Sequence, residues 1–238
     1  MDTNKDCATI VDVENKDETP KIIMPFEYGD DEHYYVESLG EIEKKPFYDF
    51  IKRVMDISLS LFGLIVAAIP MIIVAILVKA TSKGPIFYKQ ERLGLNGKPF
   101  TLVKFRTMVN DAEKNGARWS LGGVDTRITK IGSFLRATRF DELPQLWGCF
   151  IGQLSIVGPR PERAMFYEKF EEHIHGFSER LKVKPGLTGL AQIHGGYDLR
   201  PEEKVVYDVE YIKNRSILQD IKIIFGTFAV VLFRRGAK

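Results

Sequence analysis

The chain has 238 residues, 45% hydrophobic and 28% charged, ordinary values for a globular protein, and its formal net charge of +2 argues against bulk nucleic-acid binding. That average hides a split: residues 1–45 hold 13 acidic and 5 basic side chains, so the remainder is a basic body suited to an anionic partner such as phosphates or lipid headgroups. The two cysteines, Cys7 and Cys149, make no disulfide framework, and a reducing compartment is the default.

Residues 1–45 mix Asp, Glu and Lys with few periodic apolar positions. They lack the apolar core of a secretory signal and read as an acidic, disordered tail. The segment Ile57–Val78 then runs 22 residues without a charge. A helix of that length reaches about 33 Å, enough to cross a hydrocarbon core, whereas a soluble helix would carry a polar face. Both flanks are basic, with Lys52 and Arg53 before and Lys79 and Lys83 after. Positive flanks favour the cytoplasmic side, and a spanning helix satisfies that at one end only. Pro70 removes the helical partner of the Val66 carbonyl. A segment that enters the bilayer, turns and returns fits these features. Proline also occurs in spanning helices, so simple crossing stays open on the residues alone.

Beyond the punctuation at Lys83-Gly84-Pro85, Ile86–Lys89 and Phe100–Phe105 read as two short strands. Asn96-Gly97 between them is a dipeptide that accepts positive φ in a tight hairpin. Residues 111–126 read as a loop or short helix. Ile128, Ile131, Phe134 and Leu135 recur at helical spacing within 125–139. A helix is predicted from Asp141 to Gly148, another over 162–182, and a third over Pro201–Arg215, with turns at Gly158–Pro161 and Lys184–Gly189. The uncharged part of the last segment, Ile223–Phe233, is too short to span a bilayer. An interfacial helix and a packed core helix both fit it, with Arg234 and Arg235 following.

The most informative stretch is Arg136-Ala-Thr-Arg139-Phe-Asp141-Glu142-Leu-Pro144-Gln145. Taken alone, Asp141 could be a helix N-cap with an acidic first turn. Two arginines directly upstream change that balance, because the region then offers two carboxylates, two guanidinium groups and a helix start. Arginine forks orient phosphate oxygens in a bidentate way. A carboxylate beside a diphosphate implies an intervening hard cation, for which magnesium is suited. Such a carboxylate can attack phosphorus and divide one transfer into two easier steps. Gly158-Pro159-Arg160-Pro161 presents one guanidinium rigidly, and Lys104-Phe105-Arg106-Thr107-Met108 ends a strand with two cations. The histidines His33, His173, His175 and His194 make no spaced ligand set, and no Walker or Rossmann glycine motif is present.

Residues 46–235 resemble the bacterial sugar transferases, the monotopic polyprenyl-phosphate phosphoglycosyl transferases. The resemblance rests on Lys52-Arg53-Val-Met-Asp56, the proline-interrupted apolar segment, Lys104-Phe105-Arg106-Thr107-Met108, Asp125-Thr-Arg127-Ile-Thr129, Asp141-Glu142-Leu-Pro144-Gln145 and Gly158-Pro159-Arg160-Pro161. It implies an α+β, mainly helical fold. Residues 46–83 would form a re-entrant membrane helix–break–helix, and 84–238 a cytosolic catalytic domain with a short β-hairpin and C-terminal interfacial helices. It implies an Asp–Glu dyad at Asp141 and Glu142, with Asp141 as nucleophile and metal ligand and magnesium as cofactor. Arg136 and Arg160 are the main candidates for holding phosphates, with Arg127, Arg106, Lys104 and Gln145 beside them. The implied reaction moves a hexose 1-phosphate from a UDP-sugar to undecaprenyl phosphate through a covalent aspartyl-phosphosugar, releasing UMP. It would be the first membrane step of capsular or exopolysaccharide synthesis, at the cytoplasmic face of the cell membrane. Family members often carry Ser before the helix-breaking proline, where this chain has Ile69. Two rivals stand beside this expectation. A sugar-only glycosyltransferase would release UDP, and a non-catalytic membrane scaffold would release neither nucleotide.

Overall fold

The computed structural model describes residues 22–114, 116–119 and 125–232. In chain order the elements are strands β1 (Ile22–Ile23) and β2 (Tyr34–Tyr35), helix α1 (Pro46–Thr81), strands β3 (Phe87–Leu93), β4 (Pro99–Phe105) and β5 (Ala117–Arg118), and helices α2 (Lys130–Thr138) and α3 (Gln145–Ile151). Strand β6 (Ser155–Val157), helix α4 (Ala164–Glu171) and strands β7 (Ile174–His175) and β8 (Gly186–Thr188) follow. The chain then ends in α5 (Leu190–His194), α6 (Pro201–Asn214) and α7 (Ile217–Leu232). This is a mixed α+β fold of helices and short two-stranded ladders.

Helix α1 contains the whole uncharged segment and is long and apolar enough to cross a membrane. Pro46 opens it, where its missing amide hydrogen costs nothing. Asp56, Ser60, Ala67, Val74 and Val78 are buried along one side at the four- and seven-residue steps of a helix face. Around the rest of the circumference Ile65, Val66, Ile69, Ile72, Ile73 and Ile76 are exposed. An apolar surface of that extent calls for a non-aqueous neighbour. The expected helix–break–helix is one helical element that runs through Pro70, because a proline deletes a single ladder bond and the turns on either side keep theirs.

Both ends of α1 are fastened to the globular domain. Near its start Lys52 Nζ donates to Val157 O and to Asp220 Oδ2, each at 2.9 Å. Arg53 donates to Cys149 O (2.9 Å) and Phe150 O (2.8 Å), which lie at the end of α3. Asp56 Oδ1 accepts from Ser155 Oγ (3.0 Å) and Ile156 N (2.8 Å). The Lys52-Arg53-x-x-Asp56 motif is thus a docking clamp onto α3, β6 and α7. At the far end Val74 and Val78 pack with Phe105 and Leu135.

Strands β3 and β4 pair antiparallel from Phe87↔Phe105 to Leu93↔Pro99, and the turn between them places Asn96 and Gly97 at φ 56° and 72°. This is the hairpin the Asn-Gly signal predicts. Strands β6 and β8 pair in parallel beneath the core formed by Leu102, Leu154, Val157, Tyr211, Ile212 and Ile223.

Three expectations change. Residues 1–21 lie outside the described residues, but Ile22–Lys45, expected as tail, belong to the folded domain. There β1 pairs with β5 and β2 with β7, and Met24, Phe26, Tyr34 and Val36 cover an aromatic core of Trp119, Phe166, Phe170 and Phe177. Burial of these spaced apolar residues outweighs the acidic composition. The helix expected over 162–182 stops at Glu171, and β7 and a 3₁₀ segment (Phe177–Lys182) take its place, separated by Gly176 at φ 90°. Third, the helix expected from Asp141 begins instead at Gln145. The terminal helix α7 buries Asp220 and Ile223 while Leu218, Phe225 and Phe228 face outward; Arg234 and Arg235 lie outside the described residues.

Candidate active site

Helix α2 starts at Thr129, whose Oγ1 accepts from Gly132 N at 3.0 Å. Gly132 permits a close approach to the segment just beyond β4: a Cβ there would lie 2.0 Å from Thr107 O. Arg136 is drawn back in the same direction, donating from Nε to Thr107 Oγ1 at 2.9 Å, so the hydroxyl of the Lys-Phe-Arg-Thr motif orients a site arginine. The helix ends where Arg139 adopts φ 60°, a left-handed conformation that a non-glycine residue seldom takes. That bend sets the following residues, Phe140–Glu142, into a single 3₁₀ turn rather than at the head of α3.

In that turn Asp141 is 5% exposed and Glu142 9%. Arg160 donates to Glu142 through both terminal nitrogens, the Nη1–Oε2 distance being 3.4 Å, and Arg139 Nη1 lies 3.7 Å from Glu142 Oε1. Asp141 Oδ1 is buried and has no hydrogen-bond partner among the described residues, and the same holds for Gln145 Nε2. The two carboxylates therefore differ in kind. Burial, and then the Glu142 charge, raise the Asp141 carboxyl above the usual range, with Lys104, Arg136 and Arg160 opposing. Burial would raise Glu142 as well, but Arg160 and then Arg139 outweigh it and hold that carboxyl low.

Lys104 reaches the site from β4. Burial, followed by the charges of Arg92 and Arg136, pulls its ammonium down to about 8, and Asp141 partly offsets this. Its Nζ lies 5.5 Å from the centre of the Tyr88 ring. The structure thus gathers Asp141, Glu142, Arg136, Arg160 and Lys104 in one place, with Gln145 buried at the start of α3 four residues beyond Asp141. It gives Arg106 and Arg127 other work. Arg106 Nη2 donates to Ser82 O (2.8 Å) and Oγ (2.7 Å), tying off the end of α1. Arg127 Nη2 lies 2.7 Å from Asp125 Oδ2, and Nη1 donates to Ala112 O at 3.1 Å, closing a loop on itself.

Arg139, one of the two arginines singled out upstream of the acidic pair, lies beside Glu142. One further cation near the site comes from outside the motifs. Arg92 sits at the end of β3, opposite Phe100 in the hairpin, and only the strand register brings it near Lys104. The hairpin signal at Asn96-Gly97 was the clue that could have found it.

A magnesium ion characteristically takes one or two carboxylates together with substrate phosphates and water. The unengaged Asp141 oxygen meets that requirement, while Glu142 is committed to arginines. Among the described residues no group of three His, Cys, Asp or Glu side chains forms a cage for a metal. The ion would therefore depend on the substrate for much of its coordination.

The sequence model described as bacterial sugar transferase matches residues 47–234. The chain is 36% identical over 210 residues to the UDP-N-acetylgalactosamine-undecaprenyl-phosphate N-acetylgalactosaminephosphotransferase of Aeromonas hydrophila, covering 87% of this chain and 49% of that protein. It is 43% identical over 184 residues to the UDP-glucose:undecaprenyl-phosphate glucose-1-phosphate transferase of Klebsiella pneumoniae, covering 74% and 39%. It is 40% identical over 196 residues to the exopolysaccharide production protein PSS of Rhizobium leguminosarum bv. phaseoli, covering 77% and 96%. The chain spans half or less of the length of the first two.

Proposed function

The chain belongs to the bacterial sugar transferase family, and from that membership and its site we propose that it transfers a hexose 1-phosphate from a UDP-sugar to undecaprenyl phosphate. The observation that carries this reading is the asymmetric carboxylate pair: Glu142 is held by Arg160, and Asp141 keeps a buried oxygen with no hydrogen-bond partner among the described residues, amid cations.

In the proposed mechanism an Asp141 carboxylate oxygen attacks the sugar-linked phosphorus. The bond from that phosphorus to the bridging oxygen breaks, and UMP leaves with the electron pair. A phosphate oxygen of the polyprenyl acceptor then attacks the same phosphorus and returns Asp141 to a carboxylate. Arg136, Arg160 and Lys104 neutralise and orient the diphosphate, the electrostatic contribution that dominates phosphoryl transfer. Glu142, held ionised, orients Arg160 and keeps the Asp141 carboxyl raised. Bound magnesium would add charge neutralisation at the diphosphate, with Asp141 as its protein ligand.

Membrane placement follows from α1. Its exposed apolar faces call for lipid, yet both of its ends dock on one polar domain, which favours a path that enters and leaves on a single side with the helix bent at Pro70, whose ring crowds the Val66 carbonyl. Exposed Phe134, Phe140 and Trp147 flank the Asp141 turn and support a site at the lipid boundary, where a soluble donor and a lipid acceptor can meet. Exposed Phe225 and Phe228 fit α7 to the same surface. We place the reaction at the cytoplasmic face, as the first membrane step of capsular or exopolysaccharide synthesis.

The test is incubation of the purified protein with a panel of UDP-sugars, magnesium and no acceptor. The expected result is one sugar phosphate on the peptide bearing Asp141 and an equivalent of UMP. UDP as the nucleotide product, once acceptor is added, would replace this reading with sugar-only transfer.

A further inference from the structure

Pro159 and Pro161 have no amide hydrogen, so the loop carrying Arg160 cannot be fixed by its own donors at those positions. All four carbonyls from 159 to 162 are nevertheless engaged. Pro159 O accepts from Gly186 N at 2.8 Å and Glu162 O from Leu93 N at 3.0 Å. The two between them are held by guanidinium groups: Arg160 O by Arg180 Nη2 at 3.0 Å, and Pro161 O by Arg92 Nη1 at 3.1 Å. Each guanidinium is anchored in turn. Arg180 Nη2 lies 2.6 Å from Asp208 Oδ2 on α6, with side chains only 1% and 2% exposed. Arg92 Nη1 lies 2.8 Å from Glu162 Oε2.

A fully buried ion pair is a weak source of stability, because the cost of desolvating both charges offsets their attraction. Here the pair ties Arg180 to α6 and sets its Nη2 against the backbone of the residue whose side chain closes on Glu142, while Nε and Nη1 of Arg180 have no hydrogen-bond partner among the described residues. We propose that Arg180, anchored by Asp208, is a positioning residue for the transfer reaction, holding the Arg160 backbone so that the Arg160 side chain reaches the Glu142 carboxylate. This rests on the function proposed above. Arg180 acts on substrate only through Arg160, and Arg92 restrains the next carbonyl in parallel.

The experiment uses the purified full chain. Arg180→Met combined with Asp208→Leu removes both charges and leaves apolar groups of similar volume, so no lone charge is buried. The methionine can also still cover the Phe177 ring, over which the guanidinium now lies at 4.8 Å. Arg180→Lys keeps a charge opposite Asp208 but loses the planar fork. Arg160→Gln is the reference. The expected result is a fall in kcat/KM for UMP release of about 10- to 100-fold in the Met/Leu variant, the scale of an ångström-level misplacement. A smaller fall is expected for Arg180→Lys. The acid limb of the pH profile should move in the same direction as in Arg160→Gln, and adding Arg160→Gln to the Met/Leu variant should cost little more. Losses that multiply, or an unmoved pH profile, overturn the proposal. If the wild type releases no UMP with any donor, the functional reading fails, and the same cycle read in Tm decides the positioning. A combined shift smaller than the sum supports it, and independent shifts overturn it.

Discussion

Arg160 grips Glu142 through both terminal nitrogens, and the adjacent Asp141 keeps an oxygen with no hydrogen-bond partner among the described residues. The two acids should therefore fail differently. Asp141→Asn is expected to abolish both the covalent adduct and UMP release. Glu142→Gln should slow turnover by about 10²–10³-fold, the usual scale for losing one electrostatic element of a site. It should still form the adduct. Intact-mass analysis after brief exposure to donor separates the two, and an adduct on Asp141→Asn would remove that residue from the chemistry.

The pH dependence has a definite sign. The proposed attack requires an ionised Asp141, and burial together with the Glu142 charge raises its carboxyl. The acid limb of kcat/KM should thus lie above the ordinary carboxylate range. Glu142→Gln removes one raising influence and takes a carboxylate away from Arg160 and Arg139, so the limb should move to lower pH. A shift upward contradicts this electrostatic account.

Stability should show the opposite trade. A carboxyl raised by folding contributes stability at acid pH that is lost as pH rises through its folded value. At neutral pH an ionised Asp141 is therefore a cost. Asp141→Asn is expected to raise Tm at pH 7 by about 2–4 °C, equivalent to about 1 kcal/mol in a chain of this size. The gain should vanish toward pH 4. Glu142, held low by arginines, contributes stability above its unfolded value and loses it as pH falls through the folded one. Glu142→Gln should accordingly lower Tm at pH 7.

Lys104, pulled down to about 8, should set an alkaline limb as its charge is lost above that pH. Lys104→Met should flatten that limb and raise the donor KM. It should also move the acid limb upward, since Lys104 lowers the Asp141 carboxyl. An alkaline limb unchanged in Lys104→Met assigns it to another group.

The path of α1 is open to chemical labelling. Lys44 and Lys83 are exposed and bracket the helix, and Cys149 is buried, so a Cys7→Ser background leaves no other accessible thiol among the described residues. In oriented vesicles, Lys44→Cys and Lys83→Cys should both react with an impermeant maleimide from the cytoplasmic side. Labelling from opposite sides would establish a spanning helix.

Much of this protein is legible without coordinates. An uncharged 22-residue run specifies a membrane-seeking helix whatever surrounds it, because its apolar surface cannot be left in water. Asn96-Gly97 specifies a hairpin through local backbone preference. The acidic pair and the arginines upstream stand out by residue type as a candidate phosphate site, although Asp141 taken alone reads equally as a helix cap. What tertiary packing decided is who pairs with whom. Arg106 and Arg160 look alike as motif cations, yet one ties off α1 at Ser82 and the other closes on Glu142. Ile22–Lys45 have the composition of a tail, and fold because an aromatic core is there to cover. Arg92 and Arg180 are far from the Pro-Arg-Pro loop in sequence and hold its carbonyls in space. Charge–charge and hydrogen-bond energies depend on distances of a few ångströms between segments distant in the chain, and local residue order carries no record of those distances.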